Sequence, residues 1–374
     1  MTTPERPFLD FYEKHSLIPT TLTFVDQENF FSQRNFLFES IGIPTHFLRG
    51  IKILELGPGT GQKVEHLLSL RPAVYVGVDN NATSINSTQN IINKSGFRGS
   101  ASIKTSDFLD YEDTDRYDLI LAELVVPTQN DPQLFLRKLI NYLQPGGILI
   151  YTCSDSLALL SETLRRAIVN KLGMVTNDID KSAEDIVKFF EHDLDSLKGM
   201  NRIRSDWAID QMIKPTVGPQ LSIPESLKMF DSQVKFHGSS PRFLEDYRWY
   251  KSPDSTVESL NEVAIQNYWN KCHNFVDYRF AYKARDSSVN RKLFAASNFL
   301  YSVIQETQWK KKSEEAVFTY GEQILSLISN DCSGTSESLQ SFLKFWKSGE
   351  PKDLQQFRTW WGRGTQYMSV VRTS

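Results

Sequence analysis

The sequence predicts an α/β fold in which a mainly parallel β-sheet alternates with helices. Several short apolar runs have the length expected of buried strands, and each leads into a helical pattern of apolar side chains. A turn dense in glycine joins the first of these strands to its helix. With 374 residues, the chain has room for one large domain with additions or for two domains.

The glycine turn lies within residues 51–62, Ile-Lys-Ile-Leu-Glu-Leu-Gly-Pro-Gly-Thr-Gly-Gln. Gly57, Gly59 and Gly61 occupy alternate positions there, and glycine permits positive φ and close approach of backbone N–H groups to a ligand. Asp79 ends the next apolar run, where a nucleotide-binding unit of strand, helix and strand has its ribose-binding carboxylate. The turn and Asp79 together predict a nucleotide site.

Two common nucleotide motifs do not fit this turn. The dinucleotide fingerprint G-x-G-x-x-G requires glycine at position 62, where the chain has Gln62. The P-loop pattern G-x-x-x-x-G-K-[ST] fails because Leu56 occupies its first glycine position and Gln62 separates Gly61 from Lys63. A different kind of nucleotide must therefore account for the turn.

The motif that does match is E-x-G-x-G-x-G, from Glu55 to Gly61. It resembles the first motif of class I S-adenosylmethionine-dependent methyltransferases. This resemblance implies that the three glycines contact S-adenosyl-L-methionine and that Glu55 orients the methionine end of that cofactor. It also implies that Asp79, with Asn80 beside it, binds the ribose.

Three further matches follow in the order typical of the family. The predicted strand of residues 101–108 ends in Asp107 and Phe108, where the family has an acid for the adenine amino group and a neighbour that packs on the ring. A plain turn aspartate is the alternative for Asp107. The predicted strand of residues 117–123 ends in Glu123, which is expected to face the transferred methyl group. A Pro-Gly-Gly turn at residues 145–147 then leads into another apolar strand.

The resemblance implies a Rossmann-like class I methyltransferase sheet of seven strands, the last one antiparallel, with a helical insertion and a C-terminal helical extension. Its closing strands are predicted at residues 233–237 and 243–250. The predicted divisions of the chain are an N-terminal helical cap (1–50), a methyltransferase core (51–251) with a helical lid insertion (174–221), and a C-terminal helical region (252–374). Such an insertion commonly lies over the substrate pocket.

The composition and net charge indicate where in the cell the protein acts and which binding partners are disfavoured. The net charge of −3 and the isoelectric point near 6.1 argue against nonspecific affinity for nucleic acid or an anionic membrane. Cys153, Cys272 and Cys332 are widely separated, which argues against a disulfide framework or a cysteine zinc site. No run approaches the 18 apolar residues of a membrane span, and the N-terminus lacks the apolar core of a signal peptide. We expect a cytoplasmic protein, with a homodimer left open.

Methyl transfer is an in-line displacement at the sulfonium carbon, so alignment by the protein is its main contribution and can supply roughly 7–11 kcal/mol. An oxygen or nitrogen acceptor can also need a base within hydrogen-bond reach. No strict catalytic signature is present, and no His/Asp cluster indicates a metal site, although scattered carboxylates could assemble one. The candidate bases are Glu123, His15, His237 and His273. Glu123 has the best positional argument, and Glu55 has a weaker one. Each histidine has a structural or exposed role as its alternative.

The acceptor is less well specified than the cofactor. The [DN]-P-P-Y motif of enzymes that methylate nucleic-acid bases is absent after Leu121. Arginines and aromatic side chains near the predicted pocket suit a phosphate- or carboxylate-bearing sugar or metabolite, with Tyr12, Trp207 and Arg242 as candidate contacts. Ordinary surface pairing and core packing are the alternative for these side chains. The layout loosely resembles bacterial methyltransferases that modify surface polysaccharides or nucleotide sugars.

These observations predict a small-molecule or glycan substrate methylated on oxygen or nitrogen. One alternative is methylation of a protein or peptide that docks on the C-terminal helices. Another is a non-catalytic scaffold that retains the fold. The scaffold is disfavoured because the glycine motif and both strand-end acids, Asp79 and Asp107, are intact without a purely structural need for them.

Overall fold

The computed structural model describes residue 11 and residues 26–200, 202–215, 220–247, 251, 257–305 and 309–373. The described residues form two compact units. The sheet unit comprises the described residues within 26–153, 221–268 and 366–373, and the helical unit comprises residue 11 and the described residues within 154–220 and 269–365.

The strands, in chain order, are β1 (Lys52–Leu56), β2 (Val74–Asp79), β3 (Ser100–Thr105), β4 (Tyr117–Ala122), β5 (Leu143–Cys153), β6 (Val234–Ser240) and β7 (Gln366–Arg372). The described α-helices are α1 (Gln27–Ser40), α2 (Gln62–Ser69), α3 (Ala82–Lys94), α4 (Pro132–Tyr142), α5 (Leu160–Lys171), α6 (Ile179–Phe189), α7 (Glu191–Asp195), α8 (Arg204–Trp207), α9 (Ile223–Lys228), α10 (Val257–Lys271), α11 (Ser287–Ile304), α12 (Lys311–Ile328) and α13 (Ser333–Ser348).

The seven strands form one sheet in the order β3-β2-β1-β4-β5-β7-β6. Neighbours from β3 to β5 are parallel, whereas β7 is antiparallel to both β5 and β6. The register pairs Glu55 of β1 with Gly77 of β2 and with Leu121 of β4, so the carboxyl ends of these three strands lie at one edge. The predicted sheet of seven strands with an antiparallel last strand is confirmed.

Local sequence explains where the helices of the sheet unit begin. The Asp26 side chain accepts a hydrogen bond from the Glu28 N–H at the start of α1, and Asn81 caps α3 in the same way. Asp131 caps α4, whose first residue is Pro132, a position where the missing N–H has no cost. Apolar side chains of β1, α1 and α2 pack together in one core cluster, and those of Ile53, Val64 and Phe38 are at most 1% exposed.

The strand predicted at residues 243–250 is wrong. Residues 243–247 are described without strand structure, and the Tyr247 side chain is 93% exposed. The antiparallel strand is instead β7, at the far end of the chain, where the Met368 and Val370 side chains are fully buried. Both segments have an apolar pattern, and only the pairing with β5 and β6 distinguishes them.

Because β7 is the antiparallel strand and residues 243–247 are not, the predicted division of the chain changes. The core, predicted as the continuous segment 51–251, takes its antiparallel strand from residues that were assigned to the C-terminal helical region (252–374). The segment that joins the helical unit begins at Ser154, directly after β5, rather than at residue 174. None of the described helices combines the length and apolar character needed to cross a membrane.

The helical unit is centred on Arg165 of α5, whose side chain is completely buried. Its guanidinium lies 2.9 Å from the Asp193 carboxylate and 3.7 Å from the centroid of the Trp361 ring. Trp360 is also fully buried, and its indole N–H donates to the Val276 carbonyl oxygen at 2.6 Å. Trp360 and Trp361 therefore pack inside the helical unit.

Candidate functional site

The glycine turn between β1 and α2 has a left-handed backbone at each of its glycines. Gly57, Gly59 and Gly61 have φ values of +73°, +59° and +80°, which disfavour other residue types. A β-carbon at Gly57 would lie 2.6 Å from Cγ1 of Val125, and one at Gly61 would lie 2.9 Å from Cδ1 of Ile91. A β-carbon at Gly59 would meet no atom of the described residues within 4 Å. The backbone at Gly59 thus faces open space that a ligand can enter.

Asp79 lies at the end of β2, beside this turn, and is only 7% exposed. Its carboxylate accepts a hydrogen bond from the Asn81 N–H at 2.9 Å, and it also interacts with the backbone N–H groups of Gly59 and Asn80. Burial raises the pKa of Asp79, and these backbone hydrogen bonds partly oppose that shift. Asn80 is exposed at the same edge of the sheet. The structure therefore places both predicted ribose contacts next to the turn.

Asp107 and Phe108 follow β3 at the same edge. One Asp107 carboxylate oxygen accepts a hydrogen bond from the Leu109 N–H at 3.1 Å, as a turn aspartate would. The Phe108 ring stacks on Phe135 with a centroid separation of 6.0 Å, and its Cζ atom lies 3.5 Å from where a β-carbon on Gly57 would be. Phe108 therefore borders the glycine turn, in a position where an adenine ring could pack against it.

Glu123 follows β4 and is buried against two cations. Its carboxylate accepts two hydrogen bonds from the Arg34 guanidinium, at 3.0 and 2.5 Å, and a third from the Lys63 ammonium at 3.4 Å. Burial favours the neutral acid, but Arg34 and Lys63 outweigh it and hold the pKa of Glu123 at about 2. A carboxylate with so low a pKa accepts protons poorly at neutral pH. Glu123 lies where predicted, and its ion pairs with Arg34 and Lys63 argue against a role as the general base.

Glu55 lies below the turn, in β1, and is also buried. Its Oε2 atom accepts a hydrogen bond from the Tyr75 hydroxyl at 2.7 Å. Burial raises the pKa of Glu55, and the neighbouring Lys63 ammonium partly opposes this shift. The pKa of Lys63 is in turn raised, because Glu123 and Glu55 together outweigh the effect of burial. Four charged side chains thus meet under the turn, two of each sign.

Sequence reasoning missed Arg34 and Lys63 as members of this site. Arg34 belongs to a helix that precedes the motif and lies 89 positions from its partner Glu123. A signal was nevertheless present: Phe30, Arg34 and Phe38 are spaced four apart, so an arginine stands in the middle of the buried stripe of α1. A charged residue at such a position needs a buried partner.

The backbone is strained directly after Glu123. Leu124 has φ of +64°, a conformation that costs a residue with a β-carbon about 1–2 kcal/mol. Its N–H donates to Oγ1 of Thr152 at 2.7 Å, and its side chain is 51% exposed. An exposed leucine held in a strained conformation is a feature typical of functional sites.

His237 lies away from this edge. Its Nε2 atom is 2.9 Å from the Gly42 carbonyl oxygen, and it lines a cavity of about 420 Å³ together with Asp118 and Gly146. Those two residues are near the amino ends of β4 and β5, whereas the glycine turn follows the carboxyl end of β1. The prediction that His237 is catalytic is therefore wrong, because the cavity that it lines is at the opposite edge of the sheet.

The predicted substrate contacts are dispersed. Arg242 is exposed, and its Nε atom donates to the Ser40 carbonyl oxygen at 3.2 Å. Trp207 is 5% exposed in the helical unit and packs edge-on against Phe190 and Trp361, which supports its alternative role as a core aromatic. His273 is likewise buried within the helical unit, in a structural role. Tyr12 and His15 lie outside the described residues.

The residues at the carboxyl edge fit an adenosyl cofactor. Open space lies before Gly59, the Asp79 carboxylate is beside it, and Asp107 and Phe108 border the same turn. Such a site offers backbone N–H groups, carboxylates for hydroxyl and amino groups, and an aromatic surface. All these groups belong to the sheet unit.

Residues 48–197 match a family model described as a methyltransferase domain. This match covers less than half of the chain, and the seven-stranded sheet has the antiparallel last strand predicted for a methyltransferase fold. A comparison with curated proteins gives no significant match.

Several solved structures share the fold at low similarity. The N-methyltransferase NodS from Bradyrhizobium japonicum, in complex with S-adenosyl-L-homocysteine, is 18% identical over 34% of this chain and 62% of its own, with a TM-score of 0.28. An S-adenosylmethionine-dependent methyltransferase from Clostridium acetobutylicum is 18% identical over 41% of this chain and 58% of its own, with a TM-score of 0.30. The [4+2]-cyclase SpnF is 11% identical over 95% of this chain and 87% of its own, with a TM-score of 0.40.

The chain thus spans about three fifths of the NodS and Clostridium structures, at 62% and 58% of their lengths. At these TM-scores the similarities do not bear on the substrate of this chain.

Proposed function

We propose that this protein transfers a methyl group from S-adenosyl-L-methionine to an oxygen or nitrogen atom of a small molecule, with a sugar, nucleotide sugar or glycan as the acceptor class. The observation that carries the proposal is the meeting of the open glycine turn with Asp79 and Phe108 at one edge of the sheet. The family match over residues 48–197 supports it.

In this proposal the chain binds and aligns the reactants. The cofactor supplies the activated methyl group and its own leaving group. The Gly59 backbone and Asp79 hold the nucleoside, while Phe108 offers a surface for the base. Glu123 is ionised and held by Arg34, so it orders the end of β4 and contributes a fixed charge instead of taking up a proton. Alignment of this kind can supply roughly 7–11 kcal/mol of the barrier reduction.

Calorimetry tests the cofactor half of the proposal. Wild-type protein is expected to bind S-adenosyl-L-methionine with micromolar-range affinity, and Asp79→Ala to weaken binding at least tenfold because the ribose loses its acceptor. Asp115→Ala is the matched control, since the Asp115 side chain is 61% exposed and pairs with the surface residue Lys52 at 3.3 Å. Failure of the wild type to bind would contradict the proposal.

An acceptor screen tests the other half, with release of S-adenosyl-L-homocysteine as the readout. Turnover with nucleotide sugars or glycans would support the proposed class. Turnover only with proteins or peptides would favour the alternative in which a polypeptide is methylated. Cofactor binding without turnover on any acceptor would favour a non-catalytic scaffold.

A further inference from the structure

A cavity of about 420 Å³ lies at the amino edge of the sheet, the edge opposite the glycine turn. Its wall is formed by the segment between α1 and β1, by the first residues of β4 and β5, and by His237 of β6. All the lining residues belong to the sheet unit. The volume is within the range of small-molecule sites in proteins, roughly 300–1,000 Å³. The cavity can therefore hold a ligand of modest size.

This cavity is separate from the candidate cofactor site. Along β4, Glu123 lies five positions after Asp118, which at about 3.3 Å per residue places the two roughly 16 Å apart. β1 also runs between the two edges, since Ile51 just before it lines the cavity and Gly57 just after it begins the glycine turn. A ligand in the cavity is therefore out of reach of the transferred methyl group, and its role differs from that of a methyl acceptor.

Apolar side chains form much of the cavity wall, among them those of Ile43, Leu48, Ile51, Leu119 and Ile148. Phe47, on the short 3-10 helix Thr45–Leu48, also lines the cavity, and its side chain is 66% exposed. An exposed aromatic ring beside an apolar cavity gives the ring of a ligand a surface on which to pack. The wall therefore favours a ligand with an apolar, and preferably aromatic, body.

The polar side chains in the wall offer hydrogen-bond acceptors and one negative charge. One Asp118 oxygen accepts a hydrogen bond from the Lys52 N–H at 2.8 Å, and a carboxylate has further acceptor sites. His237 donates from Nε2 to the Gly42 carbonyl oxygen at 2.9 Å, so Nδ1 of the neutral ring is an acceptor. None of the described residues that line the cavity is a lysine or an arginine. Charge complementarity therefore favours a cation that carries N–H donors.

We infer that this cavity binds a small organic cation with an aromatic body. Its N–H groups donate to the Asp118 carboxylate, and its ring packs on Phe47, which also attracts the positive charge. The bound cation joins the segment that follows α1 to the start of β4, so it stabilises the sheet unit from the edge opposite the cofactor. The inference does not rest on the proposed function, because no residue of the glycine turn takes part.

Benzamidine and benzoate test the charge preference, because these two probes have nearly the same shape and opposite charges. Titrations followed by saturation-transfer NMR give the dissociation constants. Wild-type protein is expected to bind benzamidine at least tenfold more tightly than benzoate. Equal affinities for the two probes would overturn the inference, and so would a failure of benzamidine to bind at millimolar concentration.

Two isosteric changes then test the role of Asp118. Asp118→Asn keeps an acceptor for the Lys52 N–H but removes the charge, and it should weaken benzamidine binding at least tenfold. Asp115→Asn is the matched control, because it removes the same charge from a side chain that is 61% exposed and does not line the cavity. It should change the affinity less than twofold. Equal effects of the two changes would show that benzamidine responds only to net charge, and the inference would fail.

Phe47→Ala tests the aromatic contact independently and still decides the question if Asp118→Asn does not fold. The exposed Phe47 side chain contributes little to the core, so the variant should keep the unfolding midpoint of the wild type. Benzamidine binding should weaken at least threefold. Unchanged binding would contradict the inference. A wild-type dimer that binds no benzamidine and that Phe47→Ala dissociates would show that a second copy covers this face instead.

Saturating S-adenosyl-L-homocysteine locates the bound probe. Because the cavity and the glycine turn are at opposite edges, it should change the affinity for benzamidine less than twofold. Displacement of benzamidine would place the probe at the cofactor edge and would overturn the inference. If the wild type does not bind S-adenosyl-L-homocysteine, the proposed function fails, whereas the comparison of benzamidine with benzoate still decides whether the cavity binds a cation.

Discussion

At the scale of single residues, all three glycines of the turn have a left-handed backbone, but the space in front of them differs. Gly57 and Gly61 are needed because side chains there would collide with Val125 and Ile91. Gly59 has free space in front of it, so what a side chain would block there is a ligand. Gly146, which lies away from the site, also has a left-handed backbone, with φ of +80°. A β-carbon there would have no atom of the described residues within 4 Å.

We predict that Gly59→Ala and Gly146→Ala lower the free energy of unfolding by similar amounts, about 1–2 kcal/mol, because each puts a β-carbon on a left-handed backbone. Only Gly59→Ala is expected to weaken binding of S-adenosyl-L-homocysteine, at least tenfold. Urea unfolding and calorimetry measure the two effects. Equal cofactor affinity in both variants would show that the turn does not face the cofactor.

The role of Glu123 depends on the charged side chains that pair with it. Glu123 was the best candidate for a base from its position after β4. In the structure its pKa is held at about 2 by Arg34 and Lys63, so it serves as an ionised anchor. The residue that determines this outcome comes from α1, and no local pattern around Glu123 reveals it.

At the scale of elements, β7 is the piece that joins distant parts of the chain. It pairs with β5 along one side and with β6 along the other, although it is the last element in sequence. A strand between two others has both rows of its backbone groups hydrogen-bonded. Loss of β7 would therefore leave the facing edges of β5 and β6 without hydrogen-bond partners. A terminal segment outside the sheet could be lost without this effect.

We predict that Val370→Thr destabilises the protein by about 1–3 kcal/mol, because it places a hydroxyl where the Val370 side chain is fully buried. Val371→Thr, on the next and partly exposed position of the same strand, is the control and should cost less than about 0.5 kcal/mol. Denaturant unfolding compares the two. Similar effects of both changes would contradict the register of β7.

At the scale of the whole molecule, the described part of each unit has a buried histidine with a lowered pKa, His66 in the sheet unit and His273 in the helical unit. In the sheet unit, His66 has Nε2 at 2.8 Å from Oδ1 of Asn35, and burial together with the nearby Arg34 lowers its pKa to about 4. In the helical unit, His273 has Nε2 at 3.0 Å from the Lys283 carbonyl oxygen, and burial together with Arg285 lowers its pKa to about 4. Both rings are therefore neutral in the folded protein at pH 5.

The free energy of unfolding should therefore decrease as the pH is lowered from 7 to 5. The unfolded chain binds a proton at each histidine near pH 6.5, while the folded protein does not until about pH 4, so acid favours unfolding. Each histidine is expected to contribute roughly 2 kcal/mol to that fall.

We predict that His66→Gln removes its own share of the pH dependence between pH 7 and pH 5, and that His273→Gln does the same. Urea unfolding of each variant at the two pH values measures the difference, whatever the change in absolute stability. A pH dependence identical to that of the wild type in both variants would refute the neutral, buried state of these rings.

Much of the fold and part of the site can be predicted from the sequence, because they depend on local patterns. The alternation of apolar residues predicts β1 to β6, and the spacing of Gly57 to Gly61 indicates the turn. Parallel strands bring their carboxyl ends to one edge, so Asp79, Asp107 and Glu123 could be expected near each other. Burial, ion pairing and the choice of β7 are not local, and reasoning from pattern failed there.

The sequence by itself predicted the fold of the sheet unit, an adenosyl cofactor and the edge of the sheet at which that cofactor would bind. Those properties follow from short motifs whose residues are neighbours in the chain. Only the tertiary structure decided that the last strand comes from residues 366–372 and that Arg34 neutralises Glu123. It also decided that His237 lies at the opposite edge of the sheet. These are contacts between residues 89 or more positions apart, or consequences of such contacts, and their energies depend on burial that no segment of sequence specifies alone.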